Sequence, residues 1–392
     1  MLRIISVLLM ISAFLQSCSK SEKDFNSKTT IKLDLDKSGS SLLSDFFDDI
    51  NYILLDESDE IPLAKPYKVV MHNGLILVHD NVLDNLHVFD SSGKLRTILK
   101  SSGHGPFEFS HIGDFVIYND SLIVKDNVLK KLLYFDLQGG ILGESKIQIN
   151  SSEFFYNPRT QLHFMDNGEE FNFLKIDQND NIIDKYYQVS SHLNGFYFRS
   201  NLGFYMDKFR NKMLFNIPFT YHIAVFDPMG NFEGIIEVDL GSASMDQETL
   251  GRYQNGYERR TFVEENNLSE MVTCFFPFEN GYFIFLVQGK GNMHFIFVDE
   301  NMSVRKQAKL FKNDLDGMKI RTVPWTFADE HVVFTSRSID ILNDFMEREA
   351  EIREKYPNSS IIEFIETNKD KLATEKTVLI LLKVSNALIS QE

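Results

Sequence analysis

One pattern of hydrophobic and polar positions occurs five times along the chain. Each copy has an apolar pair, an aspartate, a short polar turn and an apolar residue that resumes the chain. The five aspartates are Asp90, Asp136, Asp177, Asp227 and Asp299. An aspartate side chain can cap a tight turn, and a Gly or Asn tolerates the positive φ that such a turn requires. Each copy therefore predicts a β-hairpin.

The spacing of the aspartates indicates how the hairpins are arranged. Successive aspartates are 46, 41, 50 and 72 residues apart, and three of these spacings match the roughly 40–50 residues of a four-stranded propeller blade. The longest spacing contains a predicted insertion of irregular or helical character, from about Ser242 to Asn267. Nearly continuous apolar runs ahead of several hairpins, such as the one between Asn73 and Asp80, predict inner blade strands.

A sixth blade is predicted near the end of the chain. Residues Asp329 to Thr335 repeat the strand pattern once more, without a hairpin behind it, and a late strand is predicted at Thr377 to Val384. An early strand at 51–55 has no partner close in sequence. Pairing of these N-terminal and C-terminal strands would close a ring and hide sheet edges. The predicted fold is thus all-β, a closed six-bladed β-propeller over residues 46–392.

The stretch between the two C-terminal strands has a different periodicity. Apolar residues recur at intervals of three and four after Ser338, and a second such stretch runs from Ser360 to about Leu372. This spacing predicts helices. We therefore expect a helical insert in the last blade, at about 338–372. It either packs against the propeller rim or forms a lid over a binding face.

The N-terminus indicates export. Residues 1–17 combine one positive charge with an apolar run of about a dozen residues, which is the length of a signal-peptide core and too short for a membrane span. The run ends at Leu15-Gln16-Ser17-Cys18, which resembles the lipobox of bacterial lipoproteins. We therefore predict lipid attachment at Cys18 and membrane anchoring through it. Residues 18–45 are polar and charged, and are predicted to form the lipid anchor and a flexible tether.

Composition narrows the choice of partners. The formal net charge is −16, and no basic stripe is visible, so nucleic acid is not an expected partner. Apart from Cys18, the only cysteine is Cys274, which lies in an apolar run. An intrachain disulfide is therefore excluded in the mature chain, and we expect the Cys274 thiol to be buried.

Motifs for familiar chemistry are absent from the sequence. It contains no HExxH, CxxC or GxSxG motif and no phosphate-binding glycine loop. The histidines occupy inconsistent positions within the repeats, so no metal site, catalytic residue or cofactor is predicted. A binding site would be expected at one mouth of the central channel. The candidates there are large side chains with polar tips near predicted strand ends: His104, Arg210, Tyr221 and Trp325.

One segment resembles a known family. Residues 103–109 have the sequence GHGPFEF, which is similar to the GxGPGEF segment of the NHL-like six-bladed β-propeller lipoproteins of Gram-negative bacteria. The early strand from Tyr52 and the late strand from Val378 also match that family. The departure is Phe107, where the family usually has Gly. A catalytic activity is generally not assigned to that family, so the resemblance implies location and shape rather than a chemistry.

Three functions are compatible with these observations. The first is a non-enzymatic binding or scaffold module at the cell envelope, which binds a peptide, a glycan or a partner protein. The second is a propeller-type lyase or hydrolase with a channel metal site. The third is a structural subunit of an envelope complex, for which a large apolar patch on the side of a blade would be expected. Cys18 is followed by Ser19 rather than by Asp, and this arrangement resembles that of lipoproteins sent to the outer membrane. The predicted location is therefore the outer membrane, with the protein facing either the periplasm or the cell surface.

Overall fold

The computed structural model describes residues 27–58, 60–100, 102–198 and 201–389. The predicted signal peptide (1–17) and Cys18 lie outside the described residues. The N-terminal part of the described chain forms three strands: β1 Lys28–Lys32, β2 Gly39–Leu42 and β3 Phe47–Leu54. These three strands are distributed over three different sheets that otherwise consist of later strands.

The first three blades each consist of four consecutive antiparallel strands. In blade one they are β4 Pro66–His72, β5 Leu75–Asp80, β6 Asn85–Asp90 and β7 Leu95–Lys100. In blade two they are β8 Asp114–Tyr118, β9 Ser121–Asp126, β10 Lys131–Asp136 and β11 Ile141–Lys146. In blade three they are β12 Glu153–Asn157, β13 Thr160–Phe164, β14 Phe171–Asp177 and β15 Ile182–Gln188.

The last three blades each include one N-terminal strand. Blade four has β16 Tyr205–Asp207, β17 Lys212–Asn216, β18 His222–Phe226 and β19 Phe232–Asp239, with β1 beside β19. Blade five has β20 Cys274–Phe278, β21 Gly281–Gln288, β22 Asn292–Asp299 and β23 Val304–Lys312, with β2 beside β23. Blade six has β24 Pro324–Ala328, β25 His331–Arg337 and β26 Thr377–Val384, with β3 beside β26.

The five repeated aspartates lie at the turn between the third and fourth strands of blades one to five. In blade one, the Asp90 carboxylate accepts hydrogen bonds from the backbone N–H groups of Ser92 and Lys94, at 3.0 and 3.1 Å. The other four aspartates make the same two contacts. The predicted hairpin turns are therefore confirmed. The residue with positive φ is Gly in three of them, but Asp180 and Met302 in the other two.

The apolar runs that were predicted to be inner strands occupy the second position in their blades. The run before Asp80 is β5, and an additional strand, β4, precedes it in the sheet. Most of the innermost strands are less completely buried, because part of their surface borders the central cavity rather than a neighbouring blade. Second strands such as β5 and β9 are buried almost throughout.

Apolar side chains fill the space between neighbouring blades. A buried cluster joins each blade to the next one, and a further cluster joins blade six to blade one. Representative pairs, in order around the molecule, are Leu86 with Phe115, Ile123 with Phe154, Phe164 with Phe226, Ile223 with Ile284, Phe285 with Phe334, and Val333 with Ile76. Burial of each such side chain stabilises the fold by about 1.5–3 kcal/mol.

Much of the segment predicted to be a flexible tether is ordered in the structure. β1 pairs in parallel with β19, and β2 pairs in parallel with β23, so each adds a fifth strand to its blade. Ile31, Leu33 and Leu35 alternate with polar residues and are all buried. This period of two is the pattern of a half-buried strand; it begins in β1 with Ile31 and continues through Leu33 to Leu35, where a 3-10 helical turn (Leu35–Lys37) begins. The prediction of a tether up to residue 45 is thus corrected, because a few well-spaced apolar residues suffice to dock an added strand.

Five α-helices occur in the described chain. The insertion between blades four and five contains α1 Gln247–Arg252 and α2 Gly256–Glu265. Two longer helices, α3 Ser338–Lys355 and α4 Ser360–Leu372, lie between β25 and β26, and α5 Asn386–Ile389 follows β26. Ile341 and Phe345 of α3 and Ile361 of α4 are buried against blades five and six. These two helices pack as part of the core at the edge of the propeller.

Candidate binding cavity in the central channel

The innermost strands of all six blades surround one cavity of about 770 Å³. Each of β4, β8, β12, β16, β20 and β24 contributes at least one lining residue, so the cavity is the central channel of the propeller. Its mouth is formed by connections between the first and second strands, at Asn73, Lys208 and Asp329. We refer to the end of the molecule that carries these connections as the mouth side.

The cavity wall is mainly apolar. Side chains from five different blades line it: Met71, Ile117, Phe155, Phe204 and Phe327. Phe204 also packs against Phe215 of β17, with ring centroids 4.7 Å apart, which holds its ring in position. Such a wall with few charged groups suits an apolar ligand group, because binding then removes apolar surface from water on both partners.

A buried ion pair lies deep in the cavity. Lys68 of β4 places Nζ 2.7 Å from Asp114 Oδ1 and 2.9 Å from the Phe115 carbonyl oxygen. The second oxygen of Asp114 accepts a hydrogen bond from the Phe154 backbone N–H at 3.0 Å. Both side chains are at most 5 % exposed. This pair connects blades one, two and three, and its charges are satisfied within the protein.

Polar side chains form a collar at the mouth. His72 and Asn73 of blade one both contact Asp120 Oδ1 of blade two, each at 2.9 Å. On the opposite side of the mouth, Lys208 of blade four lies 2.8 Å from Asp329 of blade six. The hydrogen bond from Lys208 lowers the pKa of Asp329, and the hydrogen bond from His72 lowers the pKa of Asp120. Charged and hydrogen-bonding groups thus surround the entrance to an apolar space.

Blades four and six also meet below the collar. The rings of Tyr205 and Phe327 are edge to face, with centroids 5.6 Å apart. The Tyr205 hydroxyl donates to the Phe275 carbonyl oxygen at 2.6 Å, and its burial raises its pKa well above the usual value. Cys274, in the adjacent strand β20, is buried as predicted, and burial raises the pKa of its thiol. Both groups stay protonated at neutral pH and act as packing groups.

The four residues predicted to bind a ligand do not come together. None of them lines the cavity. His104 is exposed in the connection between blades one and two, which lies on the side opposite the mouth. Arg210 lies on the mouth side but points between blades four and five. Its guanidinium contacts the Asp207 carboxylate at 3.2 Å and stacks 4.4 Å above the Tyr282 ring.

The other two candidates also make structural contacts. The Tyr221 hydroxyl donates to the Ser269 carbonyl oxygen and accepts from the Met245 N–H, both at 2.6 Å, which holds the insertion before blade five in place. The Trp325 indole N–H donates to the Tyr67 carbonyl oxygen at 2.9 Å and so links blade six to blade one. Large side chains with polar tips were therefore found at positions that join segments of the fold.

The cavity residues were not identified from the sequence. The sequence did carry one signal for the channel strands, namely the tight turn that precedes each second strand, such as Asn73-Gly74 and Asn119-Asp120. Each of these four residues has a positive φ, as such turns require. The strands in front of these turns are the channel strands. Recognising them would have placed Lys208 and Asp329 at the mouth. The apolar wall residues, however, resemble core residues in the sequence and could not have been distinguished from them.

In the described part of the chain, no group of three or more His, Cys, Asp or Glu side chains is placed to hold a metal ion. Within the same residues, no helix is long and apolar enough to cross a membrane.

Solved structures with similar architecture come from Bacteroides species. A Bacteroides fragilis protein whose name assigns it to export is 14 % identical, with a TM-score of 0.65, and the match covers 92 % of this chain and 100 % of that one. A member of the duf4221 family from Bacteroides vulgatus is 11 % identical, with a TM-score of 0.51, and the match covers 86 % and 97 %. These identities support similarity of fold alone.

A more distant match is virginiamycin B lyase from Staphylococcus aureus, at 13 % identity and a TM-score of 0.39, covering 67 % of this chain and 75 % of that one. A TM-score this low carries no argument about function. None of the curated proteins matches the chain significantly. A family model described as a 6-bladed beta-propeller matches residues 20–335. Because this match spans well over half of the chain and agrees with the six sheets, the protein belongs to that six-bladed β-propeller family.

Proposed function

We propose that this protein is a bacterial outer-membrane lipoprotein whose propeller binds a ligand without catalysing a reaction. The proposed site of lipid attachment is Cys18. It ends a segment that resembles a lipobox and that follows an apolar stretch of signal-peptide length. The NHL-like lipoprotein resemblance of residues 103–109 supports the same location. Attachment through acyl chains requires no membrane-spanning helix.

We propose that the ligand inserts a bulky apolar group into the central cavity and leaves a polar end at the collar. The carrying observation is the combination of a mainly apolar wall, built by side chains from five blades, with a collar of charged and hydrogen-bonding groups at the mouth; the one ion pair deep in the cavity, Lys68 with Asp114, is already satisfied within the protein. A peptide with a large apolar side chain has this chemistry, because its backbone could bond to Asn73 or Asp329 at the collar. A glycan would present hydroxyl groups to a wall that has few partners for them.

The experiment uses the chain from Ser19 onward, which contains every described residue. The probe is 1-anilinonaphthalene-8-sulfonate, which has an aromatic body and an anionic end. The variant Ile117→Trp adds volume to the cavity wall. The control Val128→Trp adds the same side chain on the side of the propeller opposite the mouth, where Val128 is 63 % exposed. We expect saturable 1:1 binding to the wild type and the control, and at least a tenfold loss of affinity in Ile117→Trp.

Two results would contradict the proposal. If Ile117→Trp folds, as judged by circular dichroism, and binds the probe as well as Val128→Trp does, the cavity is not the binding site. If metal analysis of the wild-type chain finds stoichiometric zinc or calcium, and removal of that metal abolishes probe binding, the alternative of a propeller lyase or hydrolase with a channel metal replaces the binding module.

We also propose that pairing between β3 and β26 closes the propeller ring. The antiparallel register runs from Val378 opposite Leu54 to Val384 opposite Phe47. The cluster that includes Val333 and Ile76 then joins blade six to blade one. A ring closed in this way leaves no blade with an open face, which would otherwise expose apolar surface. The helices α3 and α4 are an insert in this closing blade.

A further inference from the structure

The first described residue of the chain is held against blade four. The Ser27 hydroxyl donates to the Glu233 carbonyl oxygen at 2.8 Å, and the Ile235 N–H donates to the Ser27 carbonyl oxygen at 3.1 Å. The approach is close, because a Cβ on Gly234 would lie 2.2 Å from the Ser27 carbonyl oxygen. Ser27 therefore has a defined position, directly beside the start of β19.

This position is on the mouth side of the propeller. β19 begins just after the hairpin turn at 227–231, and the Met229 carbonyl oxygen in that turn accepts a hydrogen bond from Thr160 Oγ1 at 3.1 Å. Thr160 begins the second strand of blade three, so it lies next to the connection between the first and second strands. Connections of this kind form the mouth of the cavity. The chain that precedes Ser27 thus enters the fold from the mouth side, at the rim.

The segment between Cys18 and Ser27 is short compared with the propeller. Nine residues span at most about 32 Å when fully extended. A flexible chain of this length has a root-mean-square span of only about 17 Å. A folded domain of about 360 residues has a radius of gyration near 21 Å. A lipid at Cys18 would therefore keep the mouth side much closer to a bilayer than the opposite side.

Exposed aliphatic residues lie on the same side, directly after the hairpin turns. In blade two, Ile141 and Leu142 are 53 % and 60 % exposed, and in blade three, Ile182 and Ile183 are 46 % and 51 % exposed. Val304 occupies the corresponding position in blade five and is 38 % exposed. We call these five residues the rim aliphatics. Several exposed aliphatic side chains on one side of a molecule can form an apolar patch of the kind that marks a protein or membrane contact.

Cations on the same side complement this surface. Arg96 follows the blade-one turn and pairs with Asp90 at 2.8 Å, and Arg305 follows the blade-five turn and pairs with Asp299 at 3.1 Å. Each arginine side chain is at least 61 % exposed. Exposed guanidinium groups on the mouth side can bind lipid phosphates while the rim aliphatics contact the boundary between the lipid headgroups and the acyl chains.

We propose that the mouth side of the propeller docks on the lipid bilayer through the rim aliphatics, with the cavity mouth facing the membrane surface. This inference rests on the proposed lipid anchor at Cys18. The occupant of the rim surface is the bilayer to which the chain is attached. Two observations lead to this choice over a second protein: the short segment before Ser27, and the side of the fold on which it enters.

The experiment uses the full lipidated chain in phosphatidylcholine vesicles. A fluorophore is attached to Leu142→Cys or Ile183→Cys on the mouth side, and to Val128→Cys, on the opposite side, as the matched control. Cys274 is buried, so it does not compete for the label. Doxyl lipids in the bilayer serve as the quencher. We expect quenching several times stronger at positions 142 and 183 than at 128, and iodide in the buffer to show the reverse order.

Flotation of the vesicles separates failure of this inference from failure of the anchor. If the chain floats with the vesicles but doxyl quenching is equal at all three positions, or is stronger at 128, the docking inference is overturned and the anchor stands. A chain that does not float overturns both. Shielding of positions 142 and 183 without vesicles, together with a doubled mass in light scattering, would overturn docking in favour of a second copy of the chain.

Discussion

The backbone at Phe107 provides a quantitative test of the link between sequence and structure. Its φ is +60°, in the left-handed region, and its side chain is 48 % exposed. Glycine is usual at this place in the resembling family, and only glycine adopts this conformation without a steric penalty. The Phe107 N–H donates to Glu144 Oε2 at 2.8 Å, and Lys131 pairs with the same carboxylate, so the surroundings hold the backbone in place.

We compare Phe107→Gly with Phe107→Ala, because both remove the ring and differ only in the Cβ. The left-handed conformation costs a residue with a Cβ about 1–2 kcal/mol. The greater freedom of glycine in the unfolded chain offsets about 0.4–1 kcal/mol of that. The Gly variant should therefore be more stable than the Ala variant by about 0.8 kcal/mol, which is the difference between the middle values of these two ranges.

The control is the pair Val128→Gly and Val128→Ala. Val128 is also exposed in a turn, but its φ is not positive. There the order should reverse, with Ala more stable by about 0.4–1 kcal/mol. Urea unfolding followed by circular dichroism measures all four variants, and a difference of about 0.8 kcal/mol moves the midpoint by about 0.3 M at an m value near 3 kcal/mol/M. Equal stability of the two Phe107 variants, with the normal order at Val128, would refute the assigned strain.

Two further predictions concern ring closure and pH. Deletion of residues 377–392 removes β26, so β3 and β25 lose their shared partner, and we expect this truncated chain to unfold without a single cooperative transition. Deletion of residues 386–392 removes α5 but leaves β26 in place, so it should keep the single transition. Calorimetry of the two truncated chains distinguishes these outcomes. His294 is bonded to Ser38 and Gln288, each at 3.0 Å, and burial lowers its pKa to about 4. In the unfolded chain the pKa of His294 is near 6.5, so the unfolded chain gains a proton before the folded chain does as the pH falls. The stability that the buried neutral imidazole contributes is therefore complete above about pH 6.5 and declines as the pH falls toward 4. The variant His294→Gln should show a shallower loss between pH 6.5 and 5 in urea titrations, whereas identical slopes would contradict the neutral buried state.

Much of the fold follows from local signals in the sequence. The hairpin turns were predictable because an aspartate, a polar turn and a residue with positive φ act within five consecutive positions, as the contacts of Asp90 show. Counting those turns gave five blades, and the strand pattern from Asp329 to Thr335, which has no hairpin behind it, added the sixth. The same local logic failed for residues 28–45, because Ile31, Leu33 and Leu35 bury themselves against blades that lie far away in the sequence.

The cavity, in contrast, depends on contacts between distant residues. Phe155, Phe204 and Phe327 resemble core residues in the sequence, and they line a cavity because six short strands from separate blades leave a channel between them. The opposite holds for Trp325 and Tyr221, whose polar tips suggested a binding site but bond to backbone groups of neighbouring segments. Turn chemistry and strand periodicity are local properties and can be recognised in a sequence. Whether an aromatic side chain faces a neighbouring blade or the central channel is set by how all six blades pack around the axis.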